Sequence, residues 1–208
     1  MRVARDYAVG TPEPGRPTRA APERPRVADP GRRRRIAGYL SGGAAIGHGH
    51  GVLRTDGVWV WPERFVAEIL DDGLAPEPDL LRHMERQDFR APDPEPGARL
   101  TDDALRAWRA GPPPAPRLLV TYFVRLDGET DPEAPLSLLR RVVDPAGRVA
   151  EEAVWRDLGW HPTQAFAAHR IDHDIREVTP AHAAGVLDRW CEQWHREAVN
   201  RGRGRATP

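Results

Sequence analysis

The segment VLRTDGVWVWP, residues 52–62, decides the fold of the first half of this chain. The pair Asp56-Gly57 separates two apolar runs, and glycine tolerates the positive φ angle that a two-residue hairpin turn requires. Pro62 suits the first position of a helix, where its missing amide hydrogen costs nothing. The segment therefore predicts a β-hairpin that runs directly into a helix.

Alternation along the second hairpin strand separates Val58 and Val60 from Trp59 and Trp61. Tryptophan is enriched both in protein cores and at the hot spots of interfaces. If the valines pack inward, the tryptophans form an exposed contact patch. The alternative, which we favour, covers both pairs with the following helix and the second half of the chain. The candidate binding residues of this hairpin are Arg54, Asp56, Trp59 and Trp61.

Apolar spacing predicts the remaining helices and strands. In the first half we expect helices at residues 33–40, 62–72 and 79–87, and a short one after an N-cap at Thr101. In the second half we expect strands at residues 118–126, 149–155 and 176–178, a strand or a short helix-to-strand segment at 136–143, and a final helix after an N-cap at Thr179. The apolar stripe of that helix is Ala183, Val186, Leu187, Trp190, Cys191 and Trp194.

These elements predict an α+β fold, a helix–β-hairpin–helix module followed by a small antiparallel sheet packed on a long C-terminal helix. Proline-rich stretches set the expected boundaries, because they bury too little surface to offset their ordering entropy or act as stiff spacers. The expected parts are a disordered tail at 1–31, the hairpin module at 32–110, a linker at 111–116, the sheet and helix module at 117–200, and a disordered tail at 201–208.

Charge composition argues against two classes of partner. The chain has 31 basic and 31 acidic residues, and every basic residue is arginine, so the net charge is zero. General nucleic-acid and anionic-membrane binders need a basic surface, which this balance argues against. Arginine pairs bidentately with carboxylates, and we therefore expect arginine–carboxylate ion pairs throughout.

The compartment follows from cysteine usage and hydropathy. One cysteine, Cys191, excludes an internal disulfide and a cysteine-based zinc cluster. Residues 1–15 lack the apolar segment of a signal peptide, and no apolar run reaches the length that spans a bilayer. We expect a cytoplasmic protein.

Histidines raise the alternative of a metal-dependent enzyme. His48 and His50 lie in a glycine-rich loop, and His169 and His173 lie in the segment HRIDHD. Histidine and carboxylate are ligands of zinc and similar metals, and an open catalytic site needs three protein ligands. The spacing matches no specific metal motif, so we predict no metal site.

Other motifs are weaker still. The loop SGGAAIGHGHG, residues 41–51, lacks the lysine and the strand–loop–helix context of a nucleotide-binding loop, so we expect no cofactor. Cys191 falls on the apolar stripe of the last helix, which favours a buried core residue over a nucleophile. The run Arg32–Arg35 could bind nucleic acid, but a solvated first turn of a helix accounts for it more simply.

The segment RTDGVWVWPERFVAEILDDGLAPEPDLLRHM, residues 54–84, resembles a type of small uncharacterised actinomycete protein with an Arg-Thr-Asp-Gly-x-Trp-x-Trp-Pro core and two short helices. The resemblance covers about residues 33–90 well and 117–195 loosely. It implies a cytoplasmic protein from a high-GC genome and carries no activity or site residues with it.

No group of residues commits the chain to a reaction, so we expect a non-enzymatic protein that binds another protein, in a regulatory or immunity-like role. The alternatives are a metal-dependent enzyme that uses the loop histidines and a nucleic-acid-associated regulator. The sequence identifies neither the partner nor the oligomeric state.

Overall fold

A computed structural model describes residues 1–5, 21–46, 52–92, 94, 97–112, 118–127, 129–168 and 174–204. The fold is mixed α+β, as the sequence predicted. The chain forms two compact units, one of residues 1–6, 27–114 and 197–208 and the other of residues 7–26 and 115–196. The junction at residues 114–115 lies within the stretch that the sequence marks as a linker. No helix in the described part of the chain is both long and apolar enough to span a membrane.

The first unit is built on a four-stranded sheet. Its elements are β1 (Arg2–Val3), α1 (Pro30–Gly42), β2 (Ala44–Ile46), β3 (Leu53–Thr55), β4 (Trp59–Pro62), α2 (Phe65–Asp71), α3 (Pro78–Arg86) and α4 (Ala98–Ala110). The strand order is β1-β4-β3-β2, in which β1 is parallel to β4 and the other pairs are antiparallel.

The predicted hairpin is confirmed as β3 and β4, but its predicted two-residue turn is wrong. Thr55 pairs with Val60, and three residues, 56–58, connect the end of β3 to the start of β4 instead of two. Gly57 has a φ of +88°, which explains the need for glycine at this position. The connection is longer because the carboxylate of Asp56 accepts hydrogen bonds from the next backbone amides and shapes the turn itself.

The two faces of β4 are both buried, and they enter different clusters. Trp59 and Trp61 pack with side chains of α1, α2 and α3 on one side of the sheet. Val60 packs with Leu53, Ile46 and Ala104 of α4 on the other side. The predicted alternation is confirmed at these positions, and the first unit therefore has helices on both faces of its sheet.

Two segments of the predicted N-terminal tail are ordered, so that prediction is wrong for them. Arg2 and Val3 form β1, which pairs with β4. Asp29 caps α1, since its carboxylate accepts a 2.6 Å hydrogen bond from the amide of Arg32. The amide of Val27 donates to the carbonyl of Gly73. Backbone pairing and capping supply here the stabilisation that side-chain hydrophobicity does not.

Three local predictions, two about helix starts and one about a loop, are wrong. Pro62 ends strand β4, and α2 begins only at Phe65, so the proline does not start the helix. Thr101 lies inside α4, which begins after Gly97. Strand β2 (Ala44–Ile46) forms in the glycine-rich stretch that was predicted as a loop, because pairing with β3 compensates for the poor strand propensity of its two alanines.

The second unit is a five-stranded antiparallel sheet with a long helix packed against it. Its elements are β5 (Leu119–Arg125), β6 (Ser137–Val143), β7 (Val149–Val154), β8 (Trp160–Pro162), α5 (Ala165–Ala168), β9 (Ile175–Val178) and most of α6 (Pro180–Gly204). The order is β8-β7-β6-β5-β9. The four predicted strands are confirmed, whereas the short elements β8 and α5 were missed.

Helix α6 begins where the sequence predicts. The hydroxyl of Thr179 accepts a hydrogen bond from the amide of His182, and Pro180 is the first helical residue. Within its apolar stripe, Ala183, Leu187 and Cys191 are buried as expected. The helix continues to Gly204, so the predicted tail begins later than residue 201.

Candidate functional site

Arg54 of the predicted binding set is fully engaged within the first unit. Its guanidinium donates to the carboxylate of Glu63 at 2.5 and 3.0 Å and to the carbonyls of Ser41 and Gly43 at 2.8 and 2.9 Å. These contacts join the hairpin to the end of α1. The side chain therefore connects two elements and offers no spare donor geometry to a partner.

Trp59 and Trp61 are core residues with at most 1% of their surface exposed. The indole of Trp61 donates to the carbonyl of Leu40 at 3.1 Å, and the guanidinium of Arg2 covers the ring of Trp59 at 4.1 Å from its centroid. The interpretation of these two tryptophans as an exposed contact patch is therefore wrong. The physical reason is that α1, α2 and α3 supply enough apolar surface to cover that face of the sheet.

Asp56 is the centre of a buried polar network. One carboxylate oxygen accepts from the amides of Val58 and Trp59 at 2.8 and 2.7 Å. The other accepts from the hydroxyl of Tyr39 at 2.5 Å and contacts Nε2 of His83 at 2.8 Å. Loop, α1 and α3 therefore converge on one carboxylate.

The chemistry of this network is structural. Burial, reinforced by the hydrogen bond to Asp56, raises the pKa of Tyr39 far above its ordinary range. A carboxylate beside an imidazole is also an arrangement that orients a general base. Here, however, the side chain of Asp56 is completely buried and that of His83 is 11% exposed, so the pair lies in the interior of the unit. The network holds the hairpin turn against two helices.

The arginine run at 32–35 is largely neutralised. Arg32 pairs with Glu85 at 2.7 Å, and Arg35 contacts Asp88 at 3.6 Å. Arg33 is buried, contrary to the expected solvated turn, and donates to the carbonyl of Val27 at 2.6 Å. A run engaged in this way presents little free positive charge to a nucleic-acid backbone.

The histidines proposed as metal ligands, His48, His50, His169 and His173, lie outside the described residues. Among the residues that are described, no group of three or more His, Cys, Asp or Glu side chains is arranged to hold a metal ion. Cys191 is buried, as its place on the apolar stripe of α6 predicted. Its surroundings are those of a core residue.

An exposed apolar row crosses the second sheet, and sequence reasoning missed it. Leu119 pairs with Val143, and Val143 pairs with Val149, so the three side chains lie side by side on one face of β5, β6 and β7. Leu119 is 69% and Val149 57% exposed, and Val143 is partly exposed. We call these three residues the apolar row. Contiguous apolar surface of this kind is characteristic of interaction sites.

Ion pairs continue the same face. The next pair of facing residues on this side of β6 and β7 is Arg141 and Glu151, whose guanidinium and carboxylate are 2.8 Å apart. The guanidinium of Arg141 also covers the ring of Phe166 at 4.9 Å. The apolar row is thus bordered by a paired charge, as the apolar centre of an interface is bordered by a polar rim.

The opposite face of the second sheet is covered. Tyr122 and Arg140 lie directly opposite each other there, and Arg140 pairs with Glu152 at 2.6 Å. The hydroxyl of Tyr122 donates to the carboxylate of Glu23, and burial together with that bond raises the pKa of Tyr122 far above its ordinary range. The face with the apolar row is open only at that end of the sheet, since Leu139 further along it is buried.

A pocket of about 640 Å³ lies at one edge of the second unit. Residues of β5, β9 and the first turn of α6 line it, including Thr121, Tyr122, Glu177, Thr179 and His182. His182 is held at the wall by the carbonyl of Pro132 and the carboxylate of Glu133. The volume is in the range that accommodates small ligands or one or two peptide side chains.

Comparison of the chain with family models, curated proteins and solved structures found no match. The only sequence signal for the apolar row was the run LLVTYFVRL, residues 118–126, whose first residues are as apolar as its last. That run does not predict the strand register that aligns Leu119 with Val143 and Val149.

Proposed function

We propose that this chain is a non-enzymatic, cytoplasmic protein-interaction protein that regulates or neutralises a partner protein. The observation that carries the proposal is the apolar row. Three aliphatic side chains on adjacent strands lie at the open end of one sheet face, and Leu118, the residue before Leu119 in the chain, is also exposed, to 46%.

Burial of the apolar row against another protein is energetically favourable. Covering a fully exposed aliphatic side chain contributes roughly 1.5–3 kcal/mol, so burial of the apolar row against a complementary surface stabilises that contact. Scattered exposed aliphatic residues are ordinary on any protein. The apolar row differs because the strand register places its members in direct contact distance of one another.

The charge distribution supports a protein partner over a nucleic acid. The chain carries no net charge, and the arginines next to the apolar row are paired with carboxylates. An interface that lacks excess positive charge gains little from counterion release. Apolar contact with a protein surface therefore provides the larger contribution.

The test is a charge placed on the apolar row. We expect the double variant Leu119→Glu/Val149→Glu to fold, since both side chains are exposed, and to lose its partner. The matched control is Leu70→Glu, which adds a carboxylate at an aliphatic position of α2 that is 43% exposed. Wild-type and variant proteins are used to capture binding proteins from the source cell, and each candidate is purified and titrated directly.

The proposal requires a purified partner whose dissociation constant rises about tenfold or more with the double variant and stays unchanged with Leu70→Glu. Circular dichroism of the double variant must match the wild type. A partner that binds all three proteins equally well removes the apolar row from the interface and overturns the proposal.

A further inference from the structure

Strand β5 extends beyond the end of its neighbour β9. The pairing runs from Arg125 opposite Ile175 to Tyr122 opposite Val178, where β9 ends. The first residues of β5, Leu119 to Thr121, pair with β6 on one side only. Past Val178 the chain turns into α6 instead of continuing the sheet.

The direction of the peptide groups follows from two hydrogen bonds. The amide of Leu126 donates to the carbonyl of Asp174, so peptide groups at this position face β9. The carbonyl of Arg125 accepts from the amide of Leu136, so the adjacent position faces the opposite side, toward β6. Because directions alternate along a strand, the N–H and C=O of Val120 face the side that β9 has vacated.

The pocket lies on the side of β5 where β9 no longer pairs with it. Val120, Tyr122 and Val178 line it, together with the first turn of α6. No residue in the described part of the chain forms a strand partner to Val120 on this side. The structure therefore combines an unpaired strand segment with a cavity beside it, which are the two elements of a site that accepts an added strand.

The charge of the site selects its occupant. Glu177 lines the pocket and is exposed, and none of the described residues forms an ion pair with it. The apolar part of the pocket comes from valines and Pro180. An apolar side chain fits this lining, and a basic side chain complements the carboxylate.

We propose that the pocket between β5, β9 and α6 binds an extended segment of the partner protein, which adds to β5 beside Val120, inserts an apolar side chain and places an arginine or lysine against Glu177. This inference rests on the proposed protein-binding function and names the kind of segment that is bound. Hydrogen bonds to the main chain of Val120 align the bound segment with β5. The pocket and Glu177 select its side chains.

The first experiment uses a displayed library of random dodecapeptides selected on the full-length protein. We expect enriched peptides to carry a basic residue close to an apolar one. Synthetic copies are then N-methylated at one residue at a time. Methylation at the residue that pairs with Val120 should weaken binding at least tenfold, whereas methylation at its neighbours, whose amides face away, should not.

The second experiment changes the charge of the pocket. We expect Glu177→Lys to weaken the selected peptides at least tenfold and, in a fresh selection, to enrich acidic residues in place of basic ones. The matched control is Glu192→Lys, an exposed carboxylate twelve residues along α6 from Pro180, or about 18 Å away. That variant should leave both affinity and selection unchanged.

Three outcomes overturn the inference: no enrichment, binding that is indifferent to N-methylation at every position, or equal effects of Glu177→Lys and Glu192→Lys. None of them affects capture of a partner through the apolar row. Conversely, if the apolar row proves not to bind a partner, peptide selection at the pocket can still be measured. Failure of the proposed function can therefore be distinguished from failure of this inference.

Discussion

The hydroxyl of Tyr39 donates a 2.5 Å hydrogen bond to the carboxylate of Asp56, which joins the interior of α1 to the turn between β3 and β4. The same carboxylate also contacts His83 of α3. All of these side chains are buried. Removing one of them therefore leaves the others without a hydrogen-bond partner, and no water can replace it. The first unit is thus organised around a polar contact inside its core.

Asp56→Ala should lower the free energy of unfolding by about 3 kcal/mol or more, because it leaves four donor groups without their acceptor. Asp56→Asn should cost less, since the amide oxygen still accepts from the two turn amides. Denaturant unfolding monitored by tryptophan fluorescence measures both. Equal stability of wild type and Asp56→Ala would contradict the role of the network.

Alkaline pH should unfold the protein through its buried tyrosines. The pKa of Tyr39 and that of Tyr122 are raised, first by burial and then by their carboxylate partners. In the unfolded chain these phenols ionise near pH 10. Stability is therefore fully present below about pH 10 and falls above it, because the unfolded state then binds fewer protons than the folded one.

The measurement is absorbance at 295 nm together with circular dichroism during a base titration. The chain has no lysine, so tyrosines dominate this pH range. We expect phenolate absorbance of Tyr39 and Tyr122 to appear with loss of structure. In Tyr39→Phe the slope of stability against pH above 10 should shrink by about 1.4 kcal/mol per pH unit. An unchanged slope would show that Tyr39 ionises freely in the folded state.

Gly43→Ala should destabilise the first unit by about 1–3 kcal/mol. A Cβ atom at Gly43 would lie 2.6 Å from Cζ2 of Trp61 and 3.0 Å from the carbonyl of Thr55, and neither group can move. The control is Gly38→Ala on α1, where a Cβ meets nothing within 4 Å. That change should stabilise by about 0.5–1 kcal/mol through helix propensity. Thermal unfolding distinguishes the two, and identical shifts would be evidence against the close packing.

Arg33→Lys should cost about 1–3 kcal/mol, because lysine lacks the planar fork that reaches the carbonyls of Val27 and Leu70 together. Arg34→Lys, one residue further along α1, is exposed and should change stability by less than about 0.5 kcal/mol. Denaturation midpoints of the two variants give the comparison. If they agree, the buried guanidinium has no special part in the fold.

Local sequence was sufficient where one residue type fits one conformation. Gly57 and Gly73 adopt positive φ angles at the predicted turn and helix end, and Thr179 caps α6 as predicted. The hairpin, the four predicted strands of the second sheet and the buried position of Cys191 follow from spacing of two or three to four residues. These features depend on neighbours in the chain.

Features that depend on distant residues were missed. Strand β1 forms because Arg2 and Val3 find the free edge of β4, more than fifty residues away in sequence. Arg33 is buried because the end of α2 presents carbonyls to it. Neither β1 nor Arg33 has a local sequence signal for its environment, since the residues of both would be solvated in an isolated segment.

The sequence by itself determined that this chain forms a mixed α+β fold with a hairpin at residues 52–62, because turn chemistry and apolar period are local properties. Only the tertiary structure decided which surfaces remain open. It enclosed Trp59 and Trp61 between sheet and helices, and it left Leu119 and Val149 exposed on one face of the second sheet. The physical reason is that burial of a side chain depends on what packs against it, and strand register and helix packing bring together residues that are far apart in the sequence.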